Sequence, residues 1–310
     1  MVQDLIHRLE NNMASVIFGK KDVIRKCLIT FFAGEHLLLE DFPGIGKTLI
    51  SQALAKSLAV TFRRIQFTPD LIPADITGGS VYNSRTEEFH FIPGAVFTNI
   101  LLADEINRTT PRTQSAMLEA MSERQISADG KTYPLPQPFM VIATENPVEF
   151  EGTYPLPESQ LDRFLMRISV GYPDRQSELE ILKAHQKSQP VEHLQPVLNT
   201  EQVLMVQKAV REVRIEDEIH HYILDILEAT RNCSELLAGV STRGGIVFTR
   251  AVQAAALMDG RDFVIPDDVK ELAVPVLAHR VILETGGIGS TRQMTEGLIE
   301  QLLASVAVPG

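Results

Sequence analysis

The segment that most constrains this chain is an apolar run followed by a glycine-containing loop and a helical pattern. Leu37-Leu38-Leu39 has the composition of a strand buried on both faces. The loop Glu40-Asp41-Phe42-Pro43-Gly44-Ile45-Gly46 comes next, and Lys47-Thr48-Leu49 opens a helical pattern that continues to Leu58. A strand, a glycine turn and a helix in this order are the context that a phosphate-binding loop requires.

The residue types in this loop fit the binding of nucleotide phosphates. Gly44 and Gly46 allow positive φ and let backbone N–H groups approach the anion at the helix N-terminus. Lys47 is expected to reach the β- and γ-phosphates, and the Thr48 hydroxyl to ligate Mg²⁺. A glycine turn that merely precedes Lys-Thr is the competing interpretation, which the flanking strand and helix disfavour.

Asp41 departs from the usual pattern, G-x-x-x-x-G-K-[ST], which has glycine at its position. Asp tolerates a left-handed backbone better than most residues do. Its carboxylate, however, must point away from bound phosphates.

A second apolar run, Ile100 to Ala103, ends in Asp104-Glu105. Open parallel sheets bind ligands at the carboxyl ends of their strands, so both carboxylates are expected at the nucleotide. Asp104 would hold Mg²⁺ through its water shell, and Glu105 would orient and polarise the attacking water. A strand that simply ends in an acidic turn is the alternative, and its place downstream of a phosphate loop makes that alternative weaker.

Composition limits the classes of function. The chain has 310 residues, which is about two domains by size, and its formal net charge is -11. This acidic balance disfavours binding of nucleic acid through bulk charge, although a local basic patch stays open. Cys27 and Cys233 lack CxxC spacing, so neither a disulfide framework nor a cysteine metal site is predicted.

The N-terminal stretch from Met1 to Asn12 carries Asp4, Arg8 and Glu10 among its apolar residues. It lacks the pattern of a signal peptide. No run approaches the ~18 apolar residues that a membrane span needs. We therefore expect a soluble, cytoplasmic protein without membrane insertion.

Strand and helix patterns alternate up to residue 173, which predicts an α/β domain with a parallel sheet covered by helices. Four more strands of the doubly buried kind are expected over Phe62–Phe67, Asn99–Ala103, Phe139–Thr144 and Phe164–Val170. Two further helices are expected over Lys20–Ala33 and Thr113–Ser122. Two hairpins are expected within Ser80–Ile92 and Arg124–Leu135, the second turning at Asp129-Gly130.

After residue 173 the strand-like runs stop and helical patterns take over. Five helices are expected over Arg175–Gln186, Glu201–Val210, Asp217–Arg231, Gly244–Met258 and Pro266–Val276. The predicted second domain, residues 174–310, is therefore all-helical.

These features together resemble the AAA+ ATPases and, within them, the MoxR family. The matching stretches are Asp70 to Gly78, Pro93 to Arg108, Thr113 to Met121, Thr132 to Pro136, Ala143 to Pro147 and Tyr154 to Phe164. Weaker agreement continues to near the C-terminus. The resemblance implies an AAA+ core over residues 1–173 with two hairpin inserts and an all-helical lid over 174–310. The phosphate loop and Asp104-Glu105 then correspond to Walker A and Walker B.

The resemblance also implies roles for residues outside these motifs. Asn146 matches sensor 1, whose amide can hydrogen-bond the γ-phosphate or the lytic water. Arg163 matches the arginine finger, which acts on the nucleotide of a neighbouring subunit, and Arg167 is the second choice. Arg243 matches sensor 2 at a helix start in the lid, and Ile17-Phe18-Gly19 resembles the segment that lines the adenine pocket.

Some positions depart from the family or have no role in it that we can name. Glu145 stands where the family usually has Gln, and Thr242 precedes Arg243 where the family more often has Pro. The pair His279-Arg280 recurs in the family, but the sequence suggests no physical role for it.

The function implied by the resemblance is that of a Mg²⁺-dependent ATPase in a homo-oligomeric, hexameric ring. Such a ring would use ATP hydrolysis to remodel or mature a partner protein, with proteins containing a von Willebrand factor A domain as expected partners. A nucleotide-gated scaffold with negligible turnover is the alternative. A DNA-acting AAA+ motor is disfavoured by the acidic balance, and a small-molecule kinase by Asp104-Glu105 and Asn146, which suit water attack.

Overall fold

A computed structural model of the chain describes residues 2–42, 44–128, 130–146, 153–186, 189–284 and 292–309. Pro43 of the phosphate loop and Asp129 of the second predicted turn lie outside the described residues. The strands are β1 Leu37–Glu40, β2 Phe62–Gln66, β3 Gly78–Asn83, β4 Glu88–Pro93, β5 Ile100–Asp104, β6 Gln125–Ala128, β7 Lys131–Pro134, β8 Met140–Glu145, β9 Met166–Ile168, β10 Leu236–Ala238 and β11 Ile282–Leu283.

The α-helices are interspersed with these strands along the chain. They are α1 Val2–Ala14, α2 Lys21–Ala33, α3 Lys47–Ser57, α4 Pro73–Thr77, α5 Pro111–Glu123, α6 Glu158–Leu161, α7 Arg175–Ala184, α8 Thr200–Glu212, α9 Asp217–Arg231, α10 Thr242–Met258, α11 Pro266–Leu277 and α12 Arg292–Ser305. The helix predicted to end at Gly34 does so, because Gly34 adopts φ 75° and caps α2 with its backbone N–H.

A five-stranded parallel sheet in the order β2-β5-β8-β1-β9 forms the centre of the α/β part. Its side chains alternate between two hydrophobic cores: Leu37 and Leu39 of β1 belong to one, and Leu38 to the other. Helices cover both faces, as predicted. Because all strands run the same way, the ends of β1, β5 and β8 meet at one edge, where Glu40 pairs with Glu145.

The prediction that every strand is buried on both faces is wrong for β2. This strand lies at the edge of the sheet, and the side chains of Arg63, Arg64 and Gln66 are exposed. An edge strand has a neighbour on one side only, so its outer positions remain accessible to polar side chains.

Two antiparallel hairpins project from the α/β part at the predicted places, β3 with β4 and β6 with β7. The rings of Phe91 and Tyr133 stack at a centroid distance of 4.1 Å, so the hairpins contact each other. Tyr82 and Phe89 form an exposed cross-strand pair on the first hairpin, with ring centroids 5.2 Å apart.

The part after residue 173 is helical, but the prediction that it contains no strands is wrong. Leu236 and Ala238 of β10 pair antiparallel with Leu283 and Ile282 of β11. Runs of two or three residues are too short to show the alternation by which a strand is recognised in sequence. Helices α1 and α12 were also not predicted. None of the described helices is long and apolar enough to cross a membrane.

Candidate functional site

The phosphate loop joins β1 to α3 at the carboxyl edge of the sheet. Gly44 and Gly46 have φ values of 83° and 94°, a conformation that favours glycine. A Cβ atom built on either glycine would have no atom of the described chain within 4 Å, so open space lies in front of the loop. Lys47 is the first residue of α3, which places its side chain beside this space.

The ammonium of Lys47 is bonded to backbone oxygens at the strand ends. It donates to the carbonyl of Asp41 and, at 3.2 Å, to the carbonyl of Glu145. Burial lowers the pKa of Lys47, and the carboxylates of Asp41 and Asp104 oppose that effect only in part. The positive charge of the loop is therefore held at the edge of the sheet.

The carboxylate of Asp41 is turned towards the segment after β9. It accepts hydrogen bonds from Gly171 N at 2.6 Å, Ser169 Oγ at 2.7 Å and Phe42 N at 2.8 Å. Burial opposes ionisation, but these donors outweigh it and lower the pKa of Asp41. Asp41 does not have a positive φ, so the left-handed backbone considered for this position is not used.

The acidic pair at the end of β5 is held by side chains that sequence reasoning missed. Thr144 Oγ1 donates to Asp104 Oδ1 at 2.6 Å and accepts from Glu105 N at 2.8 Å. Arg64 Nη2 donates to Asp104 Oδ2 at 2.6 Å. Gln66 Nε2 donates to Glu105 Oε2 at 2.6 Å.

Glu105 has φ 57°, an uncommon value for a non-glycine residue. Its carboxylate also accepts from Arg108 Nη1 at 2.9 Å. Backbone strain of this kind often occurs at functional sites. The signal available in the sequence was that Gln66 and Thr144 are polar residues near the carboxyl ends of predicted strands; the structure places these strands beside the one that ends in Asp104.

Asp104 and Thr48 supply oxygen donors of the type that Mg²⁺ uses. This ion is commonly bound by one or two carboxylates together with substrate phosphates and several waters. The donor set therefore fits Mg²⁺, provided that Asp104 gives up part of its contact with Arg64.

A cavity of about 490 Å³ opens beside the phosphate loop. Residues 17 and 18 line it together with the loop: Ile17, Phe18, Gly44, Ile45, Gly46 and Leu49. Four lining residues not found from the sequence come from α7 and the residues around it: Tyr172, Ile181, Leu182 and His185. Gly19 instead packs against α7, where a Cβ would lie 2.1 Å from Ser177 Oγ.

Asn146 follows β8 directly and is buried at the same edge of the sheet. Its backbone carbonyl accepts a hydrogen bond from Asn107 Nδ2 at 3.3 Å. The structure thus brings Asn146 close to the Asp104-Glu105 pair along neighbouring strands.

The arginines are placed elsewhere. Arg163 and Arg243 line a second cavity, of about 360 Å³, and not the cavity of the phosphate loop. Arg163 Nη1 donates to Leu118 O at 2.7 Å and to Ser122 Oγ. Three further arginines line the same cavity: Arg124, Arg211 and Arg250.

The nucleotide-binding role expected for Arg243 as sensor 2 stays a prediction, since Arg243 does not line the cavity beside the phosphate loop of its own chain. Helix α10, whose second residue is Arg243, packs on α2 and α8, and this packing brings Arg243 to Asp162 and the finger segment. Arg167, the second choice for the arginine finger, does not line the cavity that contains Arg163 and Arg243. Its Nε atom lies 2.6 Å from Glu40 Oε2, in an ion pair that Arg292 joins at 3.3 Å.

Two known protein families match parts of the chain. The family model described as ATPase family associated with various cellular activities (AAA) matches residues 36–166, and the AAA lid domain model matches residues 228–297. The chain is 39% identical to Chaperone MoxR1 of Mycobacterium tuberculosis, covering 98% of this chain and 83% of that protein. The chain belongs to the MoxR family of AAA+ ATPases.

Two other proteins are similar to the chain over nearly its whole length. Uncharacterized protein YeaC of Bacillus subtilis is 47% identical over 98% of this chain and 95% of its own length. A crystal structure of a Cytophaga hutchinsonii protein superposes with a TM-score of 0.89 at 39% identity, covering 100% of this chain and 96% of that one. The AAA match contains the phosphate loop, Asp104-Glu105, Asn146 and Arg163, and the lid match contains Arg243 and Arg280. As a member of this family the chain is an ATP hydrolase with an α/β core and a helical lid.

Proposed function

We propose that this MoxR-family protein is a Mg²⁺-dependent ATPase that works as a homo-oligomeric ring, a hexamer, and remodels or matures a partner protein. The observation that supports the ring is the separation of Arg163 and Arg243 from the phosphate loop of the same chain. Neither arginine lines the cavity beside that loop. In the proposed ring a second subunit supplies the arginine charge that acts on the transferred phosphate, as an arginine finger does in trans.

The residues at the sheet edge act on ATP in the following way. Ile17 and Phe18 hold the adenine, and backbone N–H groups from Gly44 to Lys47 bind the phosphates. Lys47 exchanges its carbonyl partners for phosphate oxygens. Mg²⁺, when bound through Thr48 and Asp104, neutralises charge on the phosphates.

Once the Glu105 carboxylate has released its hydrogen bond from Gln66, it polarises the attacking water or accepts a proton from it. Asn146 fixes that water or the γ-phosphate through its amide. Arg163 and Arg243 of the adjacent subunit stabilise the charge that develops on the transferred group. Five arginines line their cavity and one acidic residue, Glu35, is paired with Arg250, so the excess positive charge suits an anion of high charge density such as a triphosphate.

The domain division proposed from the sequence fits this scheme, with a core over residues 1–173 and a lid over 174–310. The remodelling role is supported by the name of the relative Chaperone MoxR1. Partners with a von Willebrand factor A domain follow by family analogy alone.

The exposed pair Tyr82 and Phe89 on the first hairpin offers an apolar surface for a protein partner. We place the protein in the cytoplasm and expect no role for nucleic acid.

Two variants test the proposal. Glu105→Gln is expected to bind ATP and to release no phosphate. Arg163→Ala is expected to keep ATP affinity and to lose hydrolysis by roughly 10³–10⁵, as in other enzymes with arginine fingers. Undiminished phosphate release by Glu105→Gln, or hydrolysis at the assembled rate by dilute monomers, would contradict the proposed site.

One observation favours a second candidate, a nucleotide-gated scaffold with negligible turnover. Both carboxylates of the acidic pair are occupied by side chains, Asp104 by Arg64 and Glu105 by Gln66 and Arg108. Phosphate release measured across protein concentrations separates the two candidates. The ATPase gains specific activity as subunits assemble, whereas the scaffold shows none at any concentration.

A further inference from the structure

Arg280 is a buried cation at the junction of the lid and the core. It lies in the short helical turn Ala278–Arg280 after α11, and only 1% of its side chain is exposed. Burial lowers the pKa of Arg280 to about 10, so the guanidinium remains charged at neutral pH. A buried charge of this kind is expensive unless it is paired and hydrogen-bonded.

The contacts of Arg280 converge on the segment that contains the proposed finger. Nε donates to Asp162 Oδ1 at 2.9 Å, and Nη2 donates to the Phe164 carbonyl at 2.6 Å and to the Asp162 carbonyl at 3.3 Å. Nη1 donates to the Leu165 carbonyl at 3.1 Å. The guanidinium thus fixes the backbone on both sides of Arg163.

A residue at the start of helix α10 also contacts Asp162. Arg243 Nε lies 3.8 Å from Asp162 Oδ2, the carboxylate oxygen that Arg280 Nε does not contact. A Cβ atom on Gly244 would lie 3.0 Å from Arg280 Cδ, so glycine at this position lets the stem of Arg280 pass against the start of α10. Asp162 therefore lies between Arg280 and Arg243.

We propose that Arg280 is a positioning residue for hydrolysis in the neighbouring subunit: it holds residues 162–165, and through Asp162 also Arg243, so that both arginines face one cavity. This inference rests on the proposed trans-acting role of Arg163. It gives a role to the pair His279-Arg280, since the neutral His279 also contacts the Phe164 carbonyl, at 3.0 Å.

The chain offers a matched control for a purely structural role. Arg261 forms a two-pronged ion pair with the buried Asp268 of α11, with distances of 2.7 and 2.6 Å. This pair lies in the same lid, and the contacts of Arg261 are with Asp259, Phe263 and Asp268, outside residues 162–165. Arg261→Met should therefore destabilise the lid without displacing the finger segment.

Mixing of variants separates a defect in the arginine segment from a defect in a subunit's own site. Arg280→Met alone is expected to lose roughly 100-fold in kcat, the scale of a small misplacement, with ATP affinity and assembly retained. Glu105→Gln subunits hydrolyse nothing but keep intact arginines. When the two proteins are mixed, phosphate release should rise well above that of either alone, since each Arg280→Met subunit keeps a working Glu105.

The outcomes are distinct. Arg163→Ala mixed with Glu105→Gln tests the trans-acting finger itself, and absence of recovery there would overturn the proposed function and this inference with it. Recovery in that mixture with none for Arg280→Met would overturn this inference alone. A loss of kcat by Arg261→Met equal to that of Arg280→Met would also overturn it.

Arg280→Lys keeps the positive charge but not the planar guanidinium. If Arg280→Met does not fold, the same mixing test is made with Arg280→Lys.

Discussion

Gln66 Nε2 donates a hydrogen bond of 2.6 Å to Glu105 Oε2, which links the edge strand β2 to the proposed catalytic carboxylate. A hydrogen bond to a charged group contributes roughly 1.5–3 kcal/mol. Removing it should make Glu105 more available to water, so we expect Gln66→Ala to raise basal phosphate release by about tenfold, the lower end of that range, because Arg108 still contacts the carboxylate. The control is Arg63→Ala on the same strand, because Arg63 contacts the Gly94 carbonyl and not the acidic pair. A fall in the rate of Gln66→Ala would contradict this prediction.

The Thr144 hydroxyl contacts both the Asp104 carboxylate and the backbone N of Glu105, so removal of this hydroxyl should affect both residues. Thr144→Val keeps the shape but leaves Asp104 Oδ1 and Glu105 N without this partner. We expect a loss of about 1–3 kcal/mol in unfolding free energy, measured with urea. We also expect roughly 100-fold slower hydrolysis, since the carboxylates lose their alignment. Thr144→Ser keeps the hydroxyl and should behave like the parent; an equal defect in both variants would show that the hydroxyl is not responsible.

Glu145 should make stability depend on pH. Burial and the charge of Glu40 raise the pKa of Glu145 from 4.5 to about 7. The folded chain therefore binds this proton more tightly than the unfolded chain does. The stability from this group is present below pH 4.5 and is lost as the pH rises through about 7.

Replacement of Glu145 by Gln, the residue usual in the family, removes this dependence. At about pH 8 the variant should be more stable than the parent by on the order of 2 kcal/mol, and at about pH 5 most of that gain should disappear. Unfolding in urea at both values measures the difference. Glu228→Gln, at an exposed position of α9, should show no such change. A gain of the same size at both pH values would rule out titration of Glu145.

Asp41 should anchor the phosphate loop to the segment after β9. Asp41→Ala removes the acceptor of three hydrogen bonds, and we expect a loss of about 1–3 kcal/mol in stability and weaker ATP binding. Because the pKa of Asp41 is lowered, its stabilising effect persists above the ordinary value of 3.8 and is lost only as the pH falls further. Titration with a fluorescent ATP analogue measures the affinity. Ser169→Ala removes only one of the three bonds and should have the smaller effect; tighter binding by Asp41→Ala would contradict the prediction.

Much of the fold followed from local patterns. The strand Leu37 to Leu39, the glycine turn and α3 were predictable because each depends on residues that are neighbours in the chain. Helix α9 has the predicted bounds, Asp217–Arg231, since its apolar period is clear. The pair β10 and β11 was missed because strands this short are stabilised by their pairing and not by their own pattern.

Local sequence was enough to identify the chemical groups of this protein: a phosphate loop with Lys47, an acidic pair at a strand end, and candidate arginines. Spacing along the chain encodes such motifs, because each is built on one or two adjacent elements. Which of these groups come into contact depends on the folding of distant parts of the chain. Thr144 and Gln66 reach the acidic pair through the register of parallel strands, and Arg280 reaches Asp162 across 118 positions of chain. Contacts of that range depend on how the helices pack on the sheet, and packing is a property of the whole folded chain.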